Sequence, residues 1–351
     1  MNKVIRYFAK RLSYKTSYPL CKPVEVVIDI TKRCNFRCTH CDVWKNQFSQ
    51  EDLGSKKWKD IISNLRDHFG AYRLVISGGE PLLREDIFEI LDWAKKLRIY
   101  TILNTNGSLI DEDIADKLAK VVSEIRISLY GKALEHNKLR NMKNAYNQAV
   151  AATNFLKAKR KNNYKPKIVI ALMLNADNLK NIEKHLSWVG KNNFSLLLQI
   201  LGENTTQSVG DYYKNHDQDW YKKSKLWPRQ KGIVKKAFKK INNFKRQGLK
   251  IINSSGWIKA AEKYFVAPKE TMKINCFVAY DALHINFLGG ALLCYHSGVI
   301  DNLVGKDIAR LWNSKKWNRA RRKLKNCRMH CRARLGYFAR PSDYMADFLP
   351  K

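Results

Sequence analysis

Between residues 24 and 200 the chain alternates short apolar runs, rich in branched side chains, with longer amphipathic runs. The apolar runs fall at 24–30, 73–77, 99–104, 124–129, 167–174 and 195–200, and the amphipathic runs at about 55–69, 84–97, 111–120, 136–160 and 179–192. Strands buried on both faces read as continuous apolar runs, and parallel neighbours need a crossover, usually a helix, so the pattern predicts βαβ units. Six units are too few to close an eight-stranded barrel. The expectation from the pattern is an α/β fold with a parallel sheet, its chemistry in the loops that follow the strands.

The first such loop carries Cys34, Cys38 and Cys41, spaced C-x₃-C-x₂-C, with His40 just before the last thiol. Three thiols this close converge on one metal site, whereas structural zinc and iron–sulfur sites ordinarily take four ligands. One position is left open, either for a small molecule on a catalytic [4Fe–4S] cluster or for His40 or a distant residue completing a zinc knuckle. The spacing resembles that of radical S-adenosylmethionine (radical SAM) enzymes, whose open three-quarter barrel has six such units, so the resemblance implies a partial (β/α)₆ barrel of the TIM type. In that family the amino and carboxylate groups of SAM chelate the open iron, and reduction yields a 5′-deoxyadenosyl radical that abstracts hydrogen from substrate.

Companion motifs stand where the resemblance requires them. Ser77-Gly78-Gly79-Glu80-Pro81 follows the second apolar run and is similar to the family's GGEP motif, whose backbone pairs with the amino group of SAM. Asn104 ends the third run, as do the family's strand-end polar residues that contact SAM. Ser128-Leu129-Tyr130-Gly131, followed by His136 and Arg140, resembles S-L-D-G…H-D-x-x-R, in which serine and arginine hold the SAM carboxylate. A guanidinium fork suits that task. Tyr130 and Asn137 stand where the pattern has aspartates. The resemblance therefore implies SAM contacts from His40, Gly78, Gly79, Glu80, Asn104, Ser128 and Arg140.

A second thiol set comprises Cys276, Cys294 and the Cys327-Arg-Met-His-Cys331 run. Alternating apolar residues around Gly289-Gly290 predict a β-hairpin, and a helix over about 307–325 follows. Four thiols make a complete ligand set without a vacancy, and spacing alone leaves zinc and iron–sulfur open. The C-x₁₂-G-x₄-C element is similar to the SPASM and twitch domains of radical SAM enzymes, which implies one auxiliary [4Fe–4S] cluster. The further cysteines of a full SPASM domain are absent. With no open iron the simplest role is electron transfer, so the expected reaction is a two-electron oxidation. The alternative is a redox-neutral reaction such as an epimerisation, for which Cys21, the remaining cysteine, is the thiol available as hydrogen donor. Otherwise Cys21 reads as a small buried hydrophobe.

Charge supplies the remaining expectations. The 351 residues hold 66 Lys and Arg against 31 Asp and Glu, a net charge of +35. Such a balance invites RNA, an anionic membrane surface or a phosphorylated substrate, unless a bias toward Lys and Asn alone accounts for it. A non-enzymatic zinc protein binding nucleic acid is the reading from another class, and the parallel βα array, which builds a pocket, argues against it. No apolar run spans a membrane and no signal peptide opens the chain, so the expected address is the cytoplasm. Residues 1–23 form a basic segment in which Val4, Ile5, Phe8 and Leu12 share a helical face, expected to pack on the barrel, with membrane docking as the alternative. The barrel is expected over 24–204. A linker and basic helix follow over 205–269, with 12 Lys or Arg and no acid between 222 and 250, and then the auxiliary domain over 270–351, its aromatic tail packed on it. The resemblance also implies an external electron donor of the flavodoxin or ferredoxin type and a small-molecule or peptide substrate, with peptide, RNA or lipid modification as variants. The roughly 23 residues before the first strand are few for a winged-helix peptide-recognition domain, which weighs against a peptide.

Overall fold

The computed structural model describes residues 3–45, 52–159, 166–203, 217–295 and 297–331. Helix α1 (Lys3–Thr16) leads into β1 (Glu25–Thr31) and α2 (Ser55–Phe69), then β2 (Arg73–Gly78) and α3 (Ile87–Lys96), β3 (Tyr100–Thr105) and α4 (Glu112–Val121). Strand β4 (Glu124–Ser128) is followed by the pair α5 (Ala133–Arg140) and α6 (Ala145–Ala158), and β5 (Lys167–Leu174) by α7 (Ala176–Lys180) and α8 (Ile182–Lys191). After β6 (Ser195–Ile200) come α9 (Trp220–Lys223), α10 (Lys231–Arg246), α11 (Ser255–Val266), α12 (Pro268–Thr271) and α13 (Val278–Asp281). The last elements are β7 (Ala282–Ile285), β8 (Gly290–Leu292), β9 (Asp301–Asn302), α14 (Ile308–Trp312) and α15 (Lys315–Lys325).

Strands β1 to β6 are parallel neighbours in chain order, and the sheet continues past β1 into β7, β8 and β9. Strand β7 pairs parallel to β1, and β7-β8-β9 run antiparallel. The expected hairpin therefore exists, with Gly289 turning it at φ +81°, and it extends the barrel sheet itself.

Period-two alternation sorts the strand residues. Val26, Ile28, Leu74, Ile76, Leu103 and Ile125 face the helices in the main core, while Val27, Val75 and Ile102 form a small separate cluster. Two residues further along the same three strands stand Asp29, Ser77 and Asn104, at the carboxyl end of the sheet. The apolar cluster floors the barrel, and the polar residues beyond it surround a cavity.

Three predicted helices are each two. The 136–160 run breaks at Asn141, which adopts φ 51° and ψ 45°, and Asn137 braces the break, donating to the Lys143 carbonyl and accepting from Tyr146 N–H. Asparagine tolerates this left-handed conformation better than most residues. The 179–192 run starts earlier, at Ala176, behind an Asn175 capping box, and restarts at Ile182; the 307–325 run restarts after Ser314, which caps α15. Helix α10 buries Val234, Ala237, Phe238 and Ile241 as its apolar spacing predicts, leaving Lys235, Lys236, Lys239 and Lys240 exposed. Residues 205–216 of the expected linker and the tail beyond Cys331 lie outside the described residues.

Helix α1 contradicts the expectation that its apolar face packs on the barrel. Val4, Ile5, Phe8 and Leu12 are exposed, and the helix docks through the opposite, polar face, where Lys10 and Ser13 are buried. Asp281 is the physical reason. Its carboxylate is buried and binds both Lys10 Nζ and Arg6 Nη2, and a buried charge without a partner is costly.

Candidate active site

At the carboxyl end of the strands a cavity of about 230 Å³ is lined by Cys34, Cys38 and Cys41, by His40, Gly78, Gly79, Asn104 and Ser128, and by Arg140. Of the residues predicted from motifs, only Glu80 is missing from that wall. Its carboxylate sits behind it, fully buried, accepting hydrogen bonds from Thr105 Oγ1 (2.8 Å), Asn106 N–H (2.8 Å) and Leu82 N–H (3.2 Å). Burial pushes its carboxyl up, against hydrogen bonds that favour the anion. Glu80 thus ties the loop after β2 to the end of β3.

Close packing of two backbones explains the glycines. A Cβ on Gly79 would lie 2.1 Å from the Arg33 carbonyl oxygen, and one on Gly78 would lie 2.3 Å from that of Thr31. The loops are stitched by Gly79 N–H to Thr31 O and Glu80 N–H to Arg33 O, each 2.8 Å. The GGEP segment clamps the cysteine loop as well as bordering the cavity. Asn106 holds the same loop from a third strand, donating to Asn35 Oδ1 at 2.9 Å.

Arg140 closes the far side. Its Nη1 donates to Cys38 Sγ at 3.4 Å and its guanidinium lies 4.5 Å from the Tyr130 ring centroid, while Nε and Nη2 are buried with no hydrogen-bond partner. A buried cation with two spare donors in fork geometry calls for an anion. The loop bearing Tyr130 is fixed from beneath: Tyr130 N–H donates to His136 Nδ1 at 3.0 Å, and His185 hydrogen-bonds the Gly131 backbone. Burial pushes His136 down to about 2 and His185 to about 4, so both stay neutral at physiological pH.

These residues fit the SAM-bound cluster that the motifs imply. The thiols edge a cavity, and among the described residues no group of three or more His, Cys, Asp or Glu draws together around a single ion. The orphaned Nε and Nη2 of Arg140 match a carboxylate. Burial raises the Cys34 thiol to about 11, so metal binding there must displace a proton.

A second cavity gathers all four later thiols: Cys276 ahead of α13, Cys294 after β8, and Cys327 and Cys331 after α15. Met329 N–H points at Cys327 Sγ from 3.4 Å. Arg321 lines this cavity too, fully buried, donating to the carbonyls of Trp312 (2.8 Å) and Ala279 (3.3 Å) and to Asn318 Oδ1 (2.8 Å). It stacks 4.3 Å from the Trp312 ring, forms no ion pair among the described residues, and has Nη2 spare. Cys21 lines neither cavity. It is buried behind α13 with its thiol 3.8 Å from the Tyr280 carbonyl, which removes it as hydrogen donor.

Motif reading missed several wall residues, among them Arg126, Met173, Gln199 and Tyr295. The strand residues were available from inward parity; Tyr295, 4.3 Å from His284 ring to ring, had only its place next to Cys294. A larger cavity, of about 590 Å³, adjoins: Glu203 borders both, and Thr39, Lys138, Asn175 and Trp220 line it. No described helix is long and apolar enough to cross a membrane.

Comparison with known proteins follows the same division. The model of the radical SAM superfamily matches residues 28–189, and that of the SPASM iron–sulfur cluster-binding domain matches 276–332. Over 131 residues the chain is 37% identical to Fe-coproporphyrin III synthase of Methanosarcina barkeri, which covers 37% of this chain and 32% of that one. It is 31% identical to mycofactocin maturase MftC of Mycolicibacterium smegmatis, covering 37% and 33%, and 33% identical to pre-heme d1 synthase of Dinoroseobacter shibae, covering 37% and 32%. The matched stretch spans about a third of the length of these curated relatives. Streptococcus suis SuiB bound to its precursor peptide SuiA shares the fold at a TM-score of 0.66 and 19% identity, over 89% of this chain and 69% of that one. The protein anSMEcpe, solved with bound AdoMet and a peptide, does so at 0.61 and 18%, over 85% and 82%. Each family match falls on one of the two thiol sets, and the chain belongs to the radical SAM superfamily, with a SPASM-type iron–sulfur domain on its C-terminal side.

Proposed function

We propose that this radical SAM enzyme carries out a two-electron oxidation of a substrate seated in the 590 Å³ cavity beside the thiol loop. When bound, the first cluster with SAM supplies a hydrogen-abstracting radical, and the auxiliary cluster supplies an electron acceptor. The chain's own residues do the rest. Arg140 and Ser128 would hold the SAM carboxylate and the backbone at Gly78 and Gly79 would take its amino group, while His40 and Asn104 complete the wall. A flavodoxin- or ferredoxin-type protein is the proposed reductant.

The observation that carries the oxidative reading is an aromatic contact between the substrate cavity and the second thiol set. Trp220 lines the cavity, stacks on His330 at 6.1 Å and 27°, and donates its indole N–H to the His330 carbonyl at 2.9 Å. His330 is the neighbour of Cys331. A cavity of this size suits a small molecule or a short stretch of peptide. The relatives are named as a Fe-coproporphyrin III synthase, a pre-heme d1 synthase and a mycofactocin maturase, which leaves the substrate class open.

Tyr295 favours a second reading, a redox-neutral reaction, because it places a phenol in the wall of the thiol-edged cavity. Cys294→Ala separates the two. Under the oxidative reading this variant releases 5′-deoxyadenosine without oxidised product, whereas Tyr295→Phe keeps product and no solvent deuterium enters the substrate carbon in heavy water. Deuterium incorporation without net oxidation, lost in Tyr295→Phe, overturns it.

A further inference from the structure

Helix α1 is amphipathic in reverse. Its polar side is spent inward on Asp281, and its apolar side faces solvent: Val4 is 44% exposed, Ile5 59%, Phe8 64% and Leu12 50%. At 100° per residue these four lie within an arc of about 100°. Arg11 and Lys15, both exposed, fall on the same side, and Arg11 sits over the Tyr7 ring at 5.1 Å. Directly after the helix Tyr18 and Leu20 are each 45% exposed, which lengthens the apolar strip. The helix holds no acid, and its surroundings belong to a chain with 66 basic residues against 31 acidic ones.

We infer that α1 is an interfacial anchor that seats the enzyme on an anionic lipid bilayer. Apolar side chains flanked by cations on one exposed helical face are what a headgroup boundary accepts: the hydrocarbon enters the acyl region and Arg11 and Lys15 stay with the phosphates. Charge complementarity selects the lipid. A second protein is the poorer occupant, since one helical strip falls short of the roughly 20–30 residues a side of a stable protein interface. The two ion pairs to Asp281 fix α1 in the orientation that keeps the strip outward.

Flotation of the full-length, cluster-loaded protein with vesicles tests this. The chain is expected to float with phosphatidylcholine vesicles containing phosphatidylglycerol and to stay behind with phosphatidylcholine alone. The double variant Ile5→Gln/Phe8→Gln is expected to lose about tenfold or more of its partitioning, and Arg11→Glu/Lys15→Glu to lose the preference for anionic lipid. Both pairs are exposed and outside the cavities, so helix content and SAM cleavage in lipid-free buffer should stay at wild-type level. Three results overturn the inference. One is no flotation; another is equal flotation of wild type and the apolar variant, which assigns binding to diffuse charge. The third is a self-association, seen by sedimentation, that the apolar substitutions abolish, which gives the strip to a second copy.

Discussion

The two thiol sites are built by opposite strategies. The first takes Cys34, Cys38 and Cys41 from one loop of eight residues, clamped by Gly78, Gly79 and Asn106 from neighbouring strand ends. The second collects Cys276, Cys294, Cys327 and Cys331 from segments that meet only because β7 joins the barrel sheet beside β1. Each has a buried arginine. Arg140 holds back two donors with nothing to bind, whereas Arg321 spends its donors on two backbone carbonyls and an amide, keeping one spare. A site that must receive an outside ligand keeps unsatisfied groups; a closed site satisfies them internally.

That contrast breaks most sharply at Cys38. Cys38→Ala is expected to reduce SAM cleavage to background, measured as 5′-deoxyadenosine under reducing conditions, and to lower bound iron from about eight to about four per chain. Loss of all the iron would mean that the two sites do not assemble independently, and retention of all of it would mean that Cys38 holds no cluster.

Arg140 comes next. Arg140→Lys keeps the charge but loses the fork, so SAM affinity should fall about 10- to 100-fold, the equivalent of roughly 1.5–3 kcal/mol for a charge-assisted pair. Equilibrium dialysis of SAM against the loaded protein reads this directly. Unchanged affinity would show that the spare donors serve something other than the carboxylate.

At the closed site the matching change acts on potential. Arg321 is a buried cation on the wall of the four-thiol cavity, and burial pulls it down to about 10, so it is still charged at neutral pH. Positive charge beside an iron–sulfur cluster stabilises the reduced form. Arg321→Met should therefore lower the auxiliary midpoint potential by tens of millivolts, read by titration followed by electron paramagnetic resonance. A signal that disappears altogether would make Arg321 a folding residue, and Arg321→Lys, which restores charge without the fork, distinguishes the two.

The same contrast explains what could be read from the chain alone. All six barrel strands were legible because burial on both faces writes hydrophobicity into consecutive residues, and the first thiol loop because its geometry is local. Asn104 and Ser128 were legible through the resemblance of their strand ends to the family's motifs. Less legible were breaks at asparagine: Asn141 and Asn181 look helical until the partners of Asn137 and Asn175 are known. Invisible altogether was the orientation of α1, because Asp281, which turns it over, lies 271 residues from Lys10. Glu80 and the glycines read as ligand contacts, yet the structure also uses them to lock loops together.

The smallest effect concerns what lies under the first site. His136 and His185 carry the Tyr130–Gly131 loop while neutral, and burial, the largest cause in each case, takes them to about 2 and about 4 from an ordinary value near 6.5. For His136 the charge on Arg140 adds to burial, and for His185 the bond to Gly131 partly opposes it. A depressed folded value means that the unfolded chain binds the proton first. The stabilisation is therefore complete above about pH 6.5 and is lost as the pH falls, down to about 4 for His185 and further for His136. Each histidine removes about 1.4 kcal/mol per pH unit within its window, so roughly 2 kcal/mol apiece is gone at pH 5. Urea midpoints taken between pH 7 and 5 should fall for the wild type and fall less steeply for His136→Asn, whose side-chain oxygen still accepts from Tyr130 N–H. Parallel slopes for the two proteins would place the acid sensitivity elsewhere and leave the loop supported by packing alone.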